Sequence, residues 1–240
     1  MTGTHYCATL KPASKEASYL AAITENPDNA PKKNPDEFQL LVVADHTRLW
    51  KQHRWLTIKF MDNPPEALQD AIEKVIWELD PHVNLLFGLY KGDNADIRIS
   101  TNTTHNASAV GTDALLVEAD QPTMYLGVKQ GDSAFRQTIL HEFCHALGLE
   151  HEHQHPKANI PWNEAKVYEL GRSMGWSKDK TYANFFETLQ DGNLTITEYD
   201  QTSIMHYPVD KELTDGVFEV GINSELSTTD IFAIQSLYPK

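Results

Sequence analysis

Hydrophobic and polar residues alternate over Trp55–Met61, a pattern that predicts a β-strand with one buried face. Between Pro65 and Leu79 the apolar residues instead recur every three or four positions, which predicts an amphipathic helix. Two more short apolar runs, Asn84–Tyr90 and Ala95–Thr101, are typical of strands. Strand, helix and strand in this order predict a right-handed parallel crossover.

The later part of the pattern adds two strands and several helices. Ala107–Gly111 and Thr123–Val128 predict strands, which gives a sheet of about five. Ser133 is a candidate cap for a helix whose apolar residues precede a histidine cluster. Three further helices are predicted at Asn163–Gly171, Lys178–Leu189 and Ser227–Leu237.

Residues 1–45 follow a different pattern. Ala13–Thr24 predicts one short helix, and the asparagines and prolines after it predict a loop. We expect this segment to be an N-terminal extension packed on a domain that spans residues 46–240.

Composition narrows the class of protein. At 240 residues the chain suits one domain with a substantial core, and we expect a monomer. A formal net charge of −14 and the lack of a basic run argue against nucleic-acid binding. No apolar stretch has the length of a membrane span, and no signal-peptide pattern is visible, so the compartment stays open. The number of cysteines, Cys7 and Cys144 alone, does not establish whether they pair.

Residues 141–151 carry candidate chemistry, and they read HEFCHALGLEH. On a helix, positions i and i+4 share one face, so His141 and His145 can bind one ion. Gly148 can end that helix in the left-handed conformation, and the turn can bring His151 back as a third nitrogen. Three protein ligands with one open position are typical of a catalytic zinc. Glu142, beside the metal, can take a proton from a zinc-bound water.

The alternative is that these histidines are ordinary side chains. The chain has 11 histidines, and a single one is more often a surface or core residue than a ligand. A chance match to the whole pattern has odds of roughly one in ten thousand, which favours the metal. His153, His155 and His206 lie near the site in sequence, and we expect them to support it or face solvent.

The long histidine motif resembles that of the metzincin metalloproteases, and residues 203–207, Ser-Ile-Met-His-Tyr, fit the methionine turn of those enzymes. Glu152 directly after the third histidine, and Tyr207 two places after the methionine, are similar to the astacin branch. Two features depart from that branch: its catalytic-domain disulfides cannot form here, and the stretch after Glu152 lacks the usual arginine. We expect a divergent, microbial-type member.

The resemblance implies a zincin-like α/β fold. It comprises a mixed five-stranded sheet with two helices in an N-terminal lobe, residues 46–151, and an irregular, mainly helical C-terminal lobe, residues 152–240. It also implies one catalytic zinc, with Met205 beneath the metal and Tyr207 as a donor to the oxyanion. An antiparallel edge strand holds the substrate in that family by strand addition, and Ala107–Gly111 is the candidate.

Metzincins are often made latent by an aspartate or a cysteine at the open zinc position. Residues 1–45 are therefore, alternatively, an inhibitory pro-segment, with Cys7 as the spare thiolate. The surroundings of Cys7 match no latency motif that we recognise, so the structural extension remains our expectation.

The predicted function is that of a zinc-dependent metalloendopeptidase acting on peptide or protein substrates, with water activated by Glu142 and zinc. The alternative is a catalytically silent zincin-fold binding module. Such a module has no need of Glu142, and its presence therefore favours the enzyme.

Overall fold

The computed structural model describes residues 6–30, 47–189 and 197–240. Its strands are β1 (Cys7–Leu10), β2 (Trp55–Phe60), β3 (Leu86–Leu89), β4 (Ile97–Ser100), β5 (Asn106–Ala109) and β6 (Met124–Tyr125). Its α-helices are α1 (Lys15–Glu25), α2 (Glu66–Ile76), α3 (Phe135–Ala146), α4 (Glu164–Ser173), α5 (Lys178–Phe185) and α6 (Thr228–Leu237). Within the described ranges, none of these helices is long and apolar enough to span a membrane.

The strands form one mixed sheet in the order β1-β5-β6-β4-β2-β3. β2 pairs parallel with β3 and β4, and β4 pairs parallel with β6. β5 runs antiparallel to β6, as the resemblance implied. The five predicted strands are all present, and the expected mixed α/β fold is confirmed.

The sheet also has a sixth strand, β1, which the sequence did not predict. It pairs parallel with β5, so that Cys7 lies opposite Asn106 and Leu10 opposite Ala109. The expectation of an exposed edge at Ala107–Gly111 is therefore wrong for this structure. The N-terminal segment itself pairs with the main chain that a bare edge would leave open.

The main hydrophobic core lies between the sheet and the helices α2 and α3, which also contact each other. Its members from these elements include Leu56, Ile58, Ile72, Ile76, Ile97, Ile99, Ile139 and Phe143, all of them completely or almost completely buried. Full burial of each such side chain contributes about 1.5–3 kcal/mol. The apolar side chains of α3 pack against this core, which fixes the orientation of the helix.

The start of α3 differs from the expected cap. The helix begins at Phe135, and the residue at its N-cap is Ala134, which makes no side-chain cap bond. Asp132 closes a turn just before it by accepting the Lys129 N–H at 2.7 Å. This turn, rather than Ser133, leads the chain into the helix.

The helix α6 holds the segment around residue 204 against the rest of the molecule. Ser227 and Asp230 form a capping box at its start. Asp230 also accepts the Ser203 hydroxyl at 2.6 Å and the Ile204 N–H at 2.8 Å. Beyond the helix, the Tyr238 hydroxyl donates to the Leu147 carbonyl at 2.7 Å, just after α3. One helix therefore positions both the end of α3 and the predicted methionine turn.

The N-terminal segment is attached through α1 as well as β1. The Ser18 hydroxyl donates to Asp113 Oδ1 at 2.5 Å, and both side chains are buried. The other carboxylate oxygen of Asp113 lies 3.3 Å from Arg48 Nη1. Arg48 in turn pairs with Glu150, one residue before His151. A partly buried ionic network therefore joins α1 to the chain that leads into the histidine cluster.

Candidate metal centre and active site

The helix α3 and the turn after it bring three histidines together. His141 and His145 lie one turn apart on α3, which ends where the Leu149 N–H returns to the Cys144 carbonyl at 3.0 Å. Gly148 has a φ of +100°, a left-handed conformation that a side chain rarely adopts. The turn at this glycine reverses the chain and places His151 against the other two rings.

The three Nε2 atoms converge on one point. His151 Nε2 lies 3.0 Å from His145 Nε2 and 3.4 Å from His141 Nε2. On the far side of each α3 ring a backbone carbonyl accepts the Nδ1 proton, Ile204 O at 2.8 Å for His141 and Leu149 O at 2.7 Å for His145. These bonds fix the tautomer in which the Nε2 lone pairs face inward.

Burial keeps these imidazoles neutral. It lowers the pKa of His141 to about 4, and it lowers the pKa of His145 and of His151 well below the ordinary value. Neutral imidazoles are the form that binds a metal. Three nitrogen donors of this kind fit zinc, which prefers nitrogen and sulfur ligands.

A fourth donor, Cys7, completes the cluster. Its Sγ lies 2.9 Å from both His141 Nε2 and His151 Nε2, and 3.6 Å from His145 Nε2. The four donor atoms all lie within 4.8 Å of one another. Cys7 and Cys144 are both free, so no bridge joins them. Burial, with the nearby Glu142 carboxyl, raises the pKa of the Cys7 thiol well above its ordinary value.

Glu142 lies on α3 beside the cluster and is completely buried. Burial raises the pKa of its carboxyl well above the ordinary range, and the adjacent Cys7 thiol partly offsets the rise. Apart from that thiol, neither carboxylate oxygen meets hydrogen-bonding geometry with a described group. A cavity of about 20 Å³, lined by Glu142, His141, Cys7 and Tyr207 among others, has room for one water.

Tyr207 lies beside the cluster, against His151 and Cys7. Its hydroxyl donates to the backbone carbonyl of Cys7. The centroid of its ring lies 4.4 Å from that of His151 and 4.0 Å from that of His153, on which it stacks. Burial raises the pKa of its phenol well above the ordinary value. The protonated hydroxyl is therefore a donor aimed at a carbonyl next to the histidines.

Met205 is buried in the main core, and its backbone carbonyl accepts the Glu152 N–H at 3.1 Å. Its own N–H donates to Ser203 Oγ at 3.0 Å. The segment after His151 is therefore bonded directly to the methionine turn.

Three other histidines near the site bond to protein groups outside the cluster. Their partners are the Asn184 carbonyl for His153, the Thr197 carbonyl for His155, and Tyr199 Oη with the Tyr207 carbonyl for His206. Each of these rings is therefore hydrogen-bonded to a backbone carbonyl or a side chain near the site.

Sequence reasoning missed one residue of this region, Tyr6. Its ring centroid lies 5.3 Å from that of Phe185 and 5.2 Å from that of Tyr207. Burial, and then the charge of Asp210, raises the pKa of its phenol to about 12. Its neighbour Cys7 was the one available signal, since a lone tyrosine near the N-terminus carries no pattern.

Comparisons with known proteins identify the family of this chain and structures similar to it. The family model of Astacin, a family of peptidases, matches residues 42–239. A structure of myroilysin is similar at 34% identity with a TM-score of 0.75, over 80% of this chain and 96% of that chain. A second, a crystal structure of myroilysin, is similar at 28% identity with a TM-score of 0.68, over 100% of this chain and 93% of that one.

A more distant structure is high choriolytic enzyme 1, a hatching enzyme zinc-protease from Oryzias latipes (Medaka fish). It has a TM-score of 0.57 at 19% identity, over 85% of this chain and 98% of that chain, and shows the fold alone. The comparison with curated proteins gave no match.

Fold and family match define a zinc metalloprotease, an enzyme class that acts on peptides or proteins. The chain belongs to the astacin family, whose members use one catalytic zinc. The resemblance inferred from the histidine motif and the methionine turn is confirmed.

Proposed function

We propose that this metalloprotease cleaves peptide bonds with His141, His145 and His151 as its zinc ligands and Glu142 as its general base. The observation that carries the proposal is the convergence of three neutral Nε2 atoms beside a buried carboxyl. Zinc held there supplies a Lewis acid that acidifies water and polarises the scissile carbonyl.

Glu142 accepts the proton of the attacking water and returns it to the leaving amine. The adjoining cavity supports this role, as do the carboxylate oxygens, which have no described partner apart from the Cys7 thiol. Tyr207 donates a hydrogen bond to the oxyanion that forms from the carbonyl. Its present bond to the Cys7 carbonyl supports this assignment. Met205 packs beneath the histidines and shapes the floor of the site.

Residues 1–45 act as an inhibitory pro-segment in this proposal, and residues 46–240 form the catalytic domain, with lobes at 46–151 and 152–240. Two observations support latency over a purely structural extension. The thiol of Cys7 takes the position that water needs, and β1 pairs with β5, where an extended substrate would add. The bonds of α1 to the domain keep the segment in place.

Removing the segment should therefore release activity. The full-length chain, loaded with one zinc per molecule, is assayed on quenched fluorescent casein before and after limited trypsin treatment. Cleavage that rises on processing and disappears with 1,10-phenanthroline is expected. Full activity of the unprocessed chain would contradict latency, and a zinc-loaded, processed chain without turnover would favour the silent binding module.

Glu142→Gln tests the base. The substitution keeps the shape of the side chain and all three histidines, so zinc content should stay at one per molecule while turnover falls by about 10²–10⁴. Glu169→Gln, an exposed change on α4, is the matched control and should leave both values unchanged. Retention of most activity by Glu142→Gln would remove this residue from the mechanism.

A further inference from the structure

Tyr6 occupies an aromatic recess of the C-terminal helices. The recess belongs to a hydrophobic cluster built from α4, α5 and the segment after the methionine turn, with Val167, Phe185, Tyr207 and Leu213 buried in it. Phe185 and Tyr207 contact the Tyr6 ring at tilted and edge-on angles of 59° and 68°. Such geometries are favourable for aromatic pairs, so the walls suit a planar ring.

The recess lies directly beside the metal cluster. Tyr6 is the residue next to Cys7, whose Sγ lies among the three Nε2 atoms. Tyr207 lines both places, since its ring is a wall of the recess and its hydroxyl donates to the Cys7 carbonyl. If the carbonyl of a substrate peptide takes the position of the Cys7 carbonyl, the side chain of an adjacent substrate residue lies within reach of the recess.

The rim of the recess carries acceptors and negative charge. The Tyr6 hydroxyl donates to the Pro208 carbonyl at 3.4 Å. The charge of Asp210 adds to the effect of burial in raising the pKa of the Tyr6 phenol. A phenol can use the carbonyl, whereas a carboxylate would lose its hydration and meet a like charge.

We propose that this recess is a specificity subsite that binds the side chain of one residue flanking the scissile bond, and that it selects a large aromatic side chain. Tyr6 is the internal occupant of the subsite, which the pro-segment vacates on activation. This inference rests on the proposed endopeptidase function and deepens it by naming the substrate class.

The direct test uses quenched fluorescent peptides that differ only at the two residues flanking the cleaved bond. The full-length zinc-loaded chain is first activated by limited proteolysis. At one flanking position, kcat/KM for Phe or Tyr should exceed that for Ala by at least about tenfold to 200-fold. Hydrophobic pockets reach this discrimination for a difference of a single methylene group. Glu at the same position should be the poorest of the four.

The outcomes separate the subsite from the enzyme function. Cleavage with kcat/KM values within about threefold of one another at both positions, or with Glu preferred, would overturn the subsite and leave the protease standing. Cleavage of none of the peptides and none of the casein would overturn the proposed function, and the subsite with it.

Two pairs of variants test the recess from the protein side. In the unprocessed chain, Tyr6→Phe should keep the N-terminal segment as resistant to trypsin as in the parent, whereas Tyr6→Ala should speed its removal at least tenfold. In the activated enzyme, Phe185→Leu should lower the preference for Phe over Leu substrates at least fivefold. Tyr182→Leu, an exposed change on the same helix, should not alter it. Equal trypsin sensitivity of the two Tyr6 variants would overturn the role of the recess as a ring-binding site.

Discussion

Cys7→Ser, introduced into the full-length chain loaded with zinc, tests how the metal centre is held inactive. The change replaces one sulfur by oxygen and leaves the backbone of β1 in place. The four residue pairs between β1 and β5 remain, as does the Tyr207 bond to the carbonyl of residue 7. The only group removed is the thiol among the three histidines.

The magnitude follows from how much one thiolate contributes. A structural zinc site with four ligands contributes about 10–16 kcal/mol to folding, or about 2.5–4 kcal/mol per ligand. A neutral hydroxyl is a much poorer zinc ligand, and water offsets part of the loss. At about 1.4 kcal/mol for each factor of ten, the fraction of molecules in which residue 7 has left the metal should rise between about tenfold and 1000-fold.

Two measurements check this. Basal cleavage of quenched casein by the unprocessed variant should rise at least tenfold over the parent at equal zinc content, and processing should raise it less than it raises the parent. With Co²⁺ in place of zinc, the parent should show a thiolate-to-cobalt charge-transfer absorption that the variant lacks. Cys144→Ala is the matched control, because it removes a thiol that faces the core from the same helix that carries the ligands.

Unchanged basal activity together with an unchanged cobalt spectrum would refute the reasoning, since it would show that Cys7 does not bind the metal. A lost charge-transfer band with unchanged activity would assign the latency to β1 covering β5 instead.

Two other substitutions probe independent parts of the molecule. Tyr207→Phe in the activated enzyme should lower kcat by about 10²–10³ with little change in KM, because the lost hydrogen bond forms mainly in the transition state. Steady-state rates, measured together with zinc content, check this expectation. A kcat within about threefold of the parent would show that Tyr207 is not a donor to the oxyanion. Arg98→Lys should lower the free energy of unfolding in urea by about 2–4 kcal/mol, because the buried guanidinium donates to four backbone carbonyls that an ammonium cannot all reach. Arg172→Lys, at an exposed position, should stay within about 0.5 kcal/mol of the parent, and equal effects of the two arginine changes would contradict this account.

The histidine cluster was predictable because its geometry is local. His141 and His145 are separated by one turn of α3, and Gly148 makes the only turn needed to bring in His151. Helical periodicity and the conformational freedom of glycine are properties of short stretches, so the spacing of the residues specifies the arrangement. The same holds for the apolar spacing of α2 and for the capping box that Ser227 and Asp230 form at the start of α6.

The strand β1 could not be predicted in this way. It has four residues, too few for an alternating pattern, and its pairing with β5 joins segments that are about 100 positions apart. Such pairing depends on which sheet edge the rest of the fold leaves open, which no local stretch encodes. For that reason the sequence alone showed Cys7 as a spare thiol and Ala107–Gly111 as a bare edge.

The position of Tyr6 was decided by tertiary structure for the same reason. Its recess needs rings from Phe185 and Tyr207, which lie about 180 and 200 positions further along the chain. Only the packing of α5 against the methionine turn brings those rings together beside the metal ligands. The sequence therefore determined the chemistry of the centre, through residues a few positions apart. The fold decided what covers it, because that depends on contacts between distant segments.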